Sequence, residues 1–189
     1  VERKDTNHDM YYPAIGPSRH SQVNGEGWSL GPLRWNGNTV QQFKEQVLLP
    51  FFNQYLKDGA PKANTPPVLI YNTGENHWDR LQKWPMSCDS GCAFKSQALY
   101  LEADHGLSFT APKAGGGEYD EYVSDPGNPV PFYPRPYSGA HGEWTTWLVH
   151  DQRFVDGRPD VLTWETPVLT DPVRVAGRPI VHLMASTSG

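Results

Sequence analysis

Apolar positions recur along the chain at two different periods, and the change falls near residue 60. Before it, Met10-Tyr11-Tyr12-Pro13-Ala14-Ile15 is a short apolar run that reads as a strand. It stops at Gly16, because Pro17 has no amide hydrogen with which to continue a ladder. A Gly- and Asn-rich stretch to Asn38 follows, too polar and too punctuated for a regular element. Over residues 39–57, Val40, Phe43, Val47 and Phe51, joined by Leu48, Phe52 and Tyr55, fall at three- and four-residue spacing and predict one amphipathic helix. Thr39 and Gln42 fit a capping box at its start. Pro50 should kink it against the carbonyl of Gln46, and Gly59 should end it in the left-handed conformation.

Residues 60–67, rich in Pro and Ala, read as a stiffened linker. Beyond them the period becomes strand-like. Short apolar runs at 68–71, 98–101, 147–149, 161–164 and 180–183 are separated by turn signals such as Asp104-His105-Gly106, Asp125-Pro126-Gly127 and Asp156-Gly157. This pattern predicts a β-sandwich after the linker, and no 20- to 50-residue repeat points to a propeller or solenoid.

Composition narrows the choices. Eighteen Gly, 18 Pro, seven Trp, nine Tyr and seven Phe in 189 residues favour a loop-rich β architecture over a helical bundle. A formal net charge of −5 without a Lys/Arg cluster argues against a nucleic-acid partner. No apolar run is long enough to span a membrane, and no signal segment opens the chain. Val1 is not a start methionine, and the chain stops just after the run at 180–183, so both ends read as cut.

Among candidate chemical groups, His20 stands first. It follows the predicted strand at 10–15, and the carboxyl ends of strands are where α/β sheets gather their chemistry. Gly27-Trp28-Ser29-Leu30-Gly31 matches the G-x-S-x-G nucleophile pattern, but no buried strand precedes Ser29 and Pro32 follows instead of a helix. Cys88 and Cys92, with three residues between them, exclude a C-x-x-C redox motif and leave a small-loop disulfide, free thiols or, least favoured, a metal ligand pair. A disulfide would place the chain outside the reducing cytoplasm. His77-Trp78-Asp79-Arg80 reads as a structural strand with an Arg–Asp pair and a packed Trp78 rather than as a His–Asp dyad. His150-Asp151 and the aromatic run at 144–147 read as core and surface of the sandwich, with the lining of a substrate cleft between domains as the alternative.

Gly16-Pro17-Ser18-Arg19-His20-Ser21 closely resembles the Gly-Pro-Trp-Arg-His-Ser segment of the α-amino-acid ester hydrolases. These are serine hydrolases of the group that includes cocaine esterase, glutaryl acylases and X-prolyl dipeptidyl peptidases. Phe51-Phe52-Asn53-Gln54-Tyr55-Leu56, Tyr71-Asn72-Thr73-Gly74-Glu75-Asn76-His77-Trp78, Tyr122-Val123-Ser124-Asp125-Pro126 and Leu162-Thr163-Trp164-Glu165-Thr166 resemble the same family in the same order. The resemblance runs from about Met10 to Gly189. Ser18 departs from it, at a position where the family often carries Trp.

The resemblance implies that residues 1–60 are the end of an α/β-hydrolase domain, with its last strand, histidine loop and covering helix. Residues 61–189 would then be a jelly-roll β-sandwich domain, incomplete at its end. It implies that His20 is the triad histidine of a serine hydrolase acting on esters or amides of α-amino acids, β-lactam-type substrates included. The Gly-x-Ser-Tyr nucleophile, the acid and the substrate-ammonium carboxylates of the family would precede Val1, so the chain alone should be inactive. No cofactor or metal is implied, and the partner is a small ester or amide, with homo-oligomerisation and a periplasmic or secreted location also implied. The alternative is a non-catalytic β-sandwich module binding sugars or peptides through exposed aromatics. Such a module has no use for the segment before Thr39.

Overall fold

The computed structural model describes residues 4–7, 9–84, 87–88, 94–113, 119–139 and 141–188. Its contacts divide the chain into two units, one of residues 1–82 with 120–162, the other of residues 83–119 with 163–189.

The first unit is built on a three-stranded sheet. Strand β1 (Ala14–Ile15) lies parallel to β4 (Val68–Asn72), which forms an antiparallel hairpin with β5 (His77–Leu81). Parallel neighbours need a long crossover, and the helical segment after residue 38 supplies it. The hydrophobic residues buried in this unit are Leu30, Val40, Val47, Val68, Leu69, Tyr71 and Val155. The sheet therefore ties residues on both sides of the proline-rich stretch together, and the division into units does not follow the boundary expected after residue 60. Nor is that stretch a free linker: Pro66 is buried, Gln54 accepts the Ala63 amide at 2.6 Å, and Arg80 donates to the Asn64 carbonyl.

The long helix forms where expected but in three parts: α1 (Thr39–Phe43), a π-helical turn (Lys44–Leu48) and α2 (Leu49–Leu56). The wide turn accounts for Pro50. A regular helix would set the ring of Pro50 against the Gln46 carbonyl. Here the Leu49 amide reaches back five residues to Lys44, and the helix restarts with Pro50 in the first turn of α2, where its missing hydrogen costs nothing. The cap differs too. Asn38, not Thr39, is the N-cap, its side chain accepting the Gln41 amide at 3.1 Å. Gly59 has the expected positive φ of 71°, in the turn after the helix has ended.

The Gly- and Asn-rich stretch carries more order than its composition announces. It holds a 3₁₀ turn (Gln22–Asn24) and a hairpin of β2 (Ser29–Leu30) with β3 (Leu33–Arg34). The run at 147–149, expected as a strand, is a 3₁₀ turn (Trp147–Val149) that continues α3 (His141–Thr146). Local apolarity does not separate a short strand from a helical turn, and among the described residues no strand pairs with it.

The second unit has two small pairs, β6 (Ser87–Cys88) parallel to β7 (Phe94–Lys95) and β8 (Tyr100–Leu101) antiparallel to β9 (Leu107–Ser108). Glu165 straps the β8–β9 turn, accepting the Leu107 amide at 2.8 Å and donating its own amide to His105 at 3.0 Å. Residues 161–164 and 180–183, expected as strands, form none. The segment after Glu165 runs without regular structure, with Val168 and Met184 almost fully exposed. Among the described residues the fold is thus mixed α and β with small sheets, since apolar runs become strands only when partners take their backbone bonds. The Cys88–Cys92 pair lies outside the described residues at Cys92.

Candidate functional site

His20 lies five residues beyond the carboxyl end of β1, on the exposed face of a tight loop. The loop opens at Gly16, whose carbonyl accepts the Ser18 amide at 2.9 Å around Pro17. Gly16 is required by packing: a Cβ there would stand 2.9 Å from the indole of Trp78. Trp78, on β5, is held in turn by a 3.1 Å bond from its Nε1–H to Gln42 Oε1, and by edge contact with Tyr71 at 5.2 Å. Burial raises the pKa of that Tyr71 phenol above its ordinary value. The approach to β1 is set by Asp5, buried, whose carboxylate accepts the amides of Asp9, Met10 and Tyr11 at 2.9–3.1 Å.

On its far side the loop turns through Ser21, in the left-handed region at φ 61°, into the Gln22–Asn24 turn. Gln22 is buried and joins three backbone groups of the loop. Gly27 is pinned to the helix start: its amide donates to Asn38 Oδ1 at 2.8 Å, and its carbonyl accepts both the Thr39 amide and the Thr39 hydroxyl. Thr39 is accordingly only 1% exposed.

Beside the loop lies an open, polar cavity of about 310 Å³ lined by Arg19, Gln22, Ser29, Arg34, Thr145 and Thr146. Its lining includes two arginines and, among the described residues, no carboxylate. Among the described residues the His20 imidazole has no hydrogen-bonding or charged partner; the Arg19 guanidinium donates to the His20 backbone carbonyl at 3.3 Å.

The other sequence candidates are placed elsewhere. Ser29 is a hairpin residue of β2, followed by the turn at Gly31 (φ 56°) and not by a helix, so the elbow geometry is missing. His77 does meet Asp79, at 2.9 Å on an exposed strand face, with Glu75 at 3.7 Å. His150 donates to or accepts from nothing on the Asp151 side chain; its Nδ1 lies 2.9 Å from the Asp151 carbonyl oxygen, and its ring packs on Tyr133 and Phe154. Asp151 instead binds Arg153, which draws its pKa down to about 2. No group of acidic, His or Cys side chains suited to a metal occurs among the described residues. What the sequence reading missed are the supports: Asp5, Gln22 and Asn38, polar residues whose bonds run to backbone groups that no motif marks.

No protein-family model matches the chain. A solved structure of an α-amino acid ester hydrolase labelled with selenomethionine superposes with a TM-score of 0.85 at 60% identity, over 93% of this chain and 29% of that one. Over nearly its whole length the chain is thus similar to part of that α-amino acid ester hydrolase. An aminopeptidase from a marine sediment archaeon (Thaumarchaeota archaeon) superposes with a TM-score of 0.79 at 41% identity, over 93% of this chain and 28% of that one. The cocaine esterase of Rhodococcus sp. (strain MB1 Bresler) is 26% identical over 182 residues, 92% of this chain and 30% of the relative. The chain therefore spans under a third of the length of the proteins it matches.

Proposed function

We propose that this chain is the histidine-bearing part of a serine hydrolase that cleaves esters or amides of α-amino acids, or transfers their acyl groups, β-lactam-type substrates included. The observation that carries the reading is the held loop of His20. An exposed imidazole stands on a segment braced by Trp78, Gln22 and Gly27, in a chain 60% identical to an α-amino acid ester hydrolase. A loop fixed from both sides with its imidazole left open suits a general base, whose ring must meet another group in one orientation.

In this mechanism a serine outside the present sequence attacks the acyl carbon while His20 takes its proton. The bond to the leaving oxygen or nitrogen breaks as His20 returns that proton to the leaving group, and water then releases the acyl group by the same path. An acid residue, also outside the sequence, orients the imidazole. The jelly roll implied for the later part of the chain belongs to the same reading, and the antiparallel β8–β9 pair of the second unit supports it. An oxidised Cys88–Cys92 pair would suit an enzyme working in the periplasm or outside the cell.

The test compares this chain with the full-length gene product on p-nitrophenyl and amino-acid esters. We expect turnover by the full-length protein, none by residues 1–189 alone, and little change on Ser29→Ala or His77→Ala. Robust turnover by the isolated chain would require a nucleophile within it and would overturn the reading.

A further inference from the structure

The histidine loop contains one buried polar side chain that hydrolytic chemistry does not call for. Gln22 is 9% exposed, two residues past His20. Its amide oxygen accepts the Arg19 backbone N–H at 3.0 Å, and its amide nitrogen donates to the carbonyls of Glu26 at 3.0 Å and Ser29 at 2.8 Å. One backbone donor and two backbone acceptors admit only this orientation of the amide, so oxygen and nitrogen are assigned by their partners. A fully bonded amide in low-dielectric surroundings is rigid, and removing it strands backbone groups that water cannot easily reach.

The three partners lie at two ends of one connection. Arg19 directly precedes His20, while Glu26 and Ser29 flank Gly27, which Asn38 and Thr39 pin to the start of the helix. Between His20 and Gln22 stands Ser21 in a left-handed conformation that a residue with a side chain disfavours, so the turn needs holding from outside. The helix start thus fixes Gly27, Gln22 spans from Gly27's neighbours to Arg19, and Arg19 carries the backbone of His20.

We propose that Gln22 is the positioning residue of His20, fixing the backbone that carries the imidazole so that the ring meets the serine in a single orientation. It touches neither substrate nor reacting atoms. The inference rests on His20 being the general base, and the experiment separates the two.

In the full-length gene product, Gln22→Met keeps the length and removes all three bonds. Gln22→Glu keeps the acceptor for Arg19 but sets a carboxylate against two carbonyls. Active sites are titrated by the p-nitrophenol burst, so that rates refer to folded enzyme only. We expect kcat per titrated site to fall about 10- to 100-fold in both variants, the scale of a small misplacement at a reacting group, with KM within about twofold of wild type. A merely structural role would lower melting temperature and titratable fraction and leave kcat per site unchanged, and that result overturns the proposal. His20→Ala in the same assay makes the distinction. If it is silent while the Gln22 variants turn over normally, only the positioning role fails; if it turns over normally, the reading of His20 fails and this inference with it. Hydrogen exchange on the unmutated protein needs no variant to fold: the Arg19 amide should exchange far more slowly than a free loop amide, and exchange at the free rate would also contradict the proposal.

Discussion

Gly27 stands where the helix start, the hairpin and the histidine loop meet, and it has no room for a side chain. A Cβ there would lie 2.4 Å from Thr39 Oγ1 and 2.6 Å from the Val40 amide nitrogen, which is backbone and cannot swing away. We therefore expect Gly27→Ala to cost about 1–3 kcal/mol in denaturant unfolding followed by Trp fluorescence, the usual range for overpacking. An unchanged midpoint would mean that the contact is not as tight as drawn. Asp151 offers a test with a defined sign. Its hydrogen bonds from Arg153 hold its pKa at about 2 against an ordinary 3.8. A carboxyl with a depressed folded pKa contributes above the unfolded value, and the contribution is lost as pH falls through the window from about 4 to about 2. The Asp151 carboxyl carbon shift, followed by NMR, should have its midpoint near the lower end; a midpoint near 4 would show the pair to be absent in solution. At this scale the sequence was informative about His20, whose Gly-Pro approach marks a loop. It was silent about Gln22 and Asn38, because a side chain bonded to backbone groups leaves no periodic trace.

The helix over residues 39–56 holds the site from below, and its π turn is the element-scale consequence of Pro50. If Pro50 sat strained in a regular helix, replacing it with Ala would stabilise by about 3 kcal/mol. With the strain already relieved by the Lys44–Leu48 turn, we expect Pro50→Ala to change unfolding free energy by less than about 1 kcal/mol. A gain near the larger figure would contradict the π turn. The helix itself was legible in its three- and four-residue apolar spacing, yet only Val40 and Val47 of that face are buried, while Phe52 and Tyr55 are about half exposed. The β4–β5 hairpin was half legible: Val68, Leu69 and Tyr71 mark β4, but its parallel pairing with β1 joins residues more than 50 positions apart, which no local pattern records. The helix α3 was hidden for another reason. Trp, Thr and Gly are modest or poor helix formers, and its sequence reads as well for a strand.

For the molecule as a whole, the sequence reading and the structure agree on the mixture of α and β, and the resemblance to α-amino acid ester hydrolases is met by a solved structure 60% identical to the chain. They part over the second half. Apolar runs at 161–164 and 180–183 promise strands, and among the described residues they pair with none. The chain matches its relatives over 28–30% of their length, and the activity we propose is one of the full-length protein. The central claim is that His20 is the general base of that activity. It is tested most directly by pre-steady-state acylation of the full-length gene product with a p-nitrophenyl ester. We expect His20→Ala to slow the burst by roughly 10⁴-fold or more, the scale on which a triad member is lost, while substrate still binds. A burst in His20→Ala as fast as in the unmutated enzyme would contradict the claim.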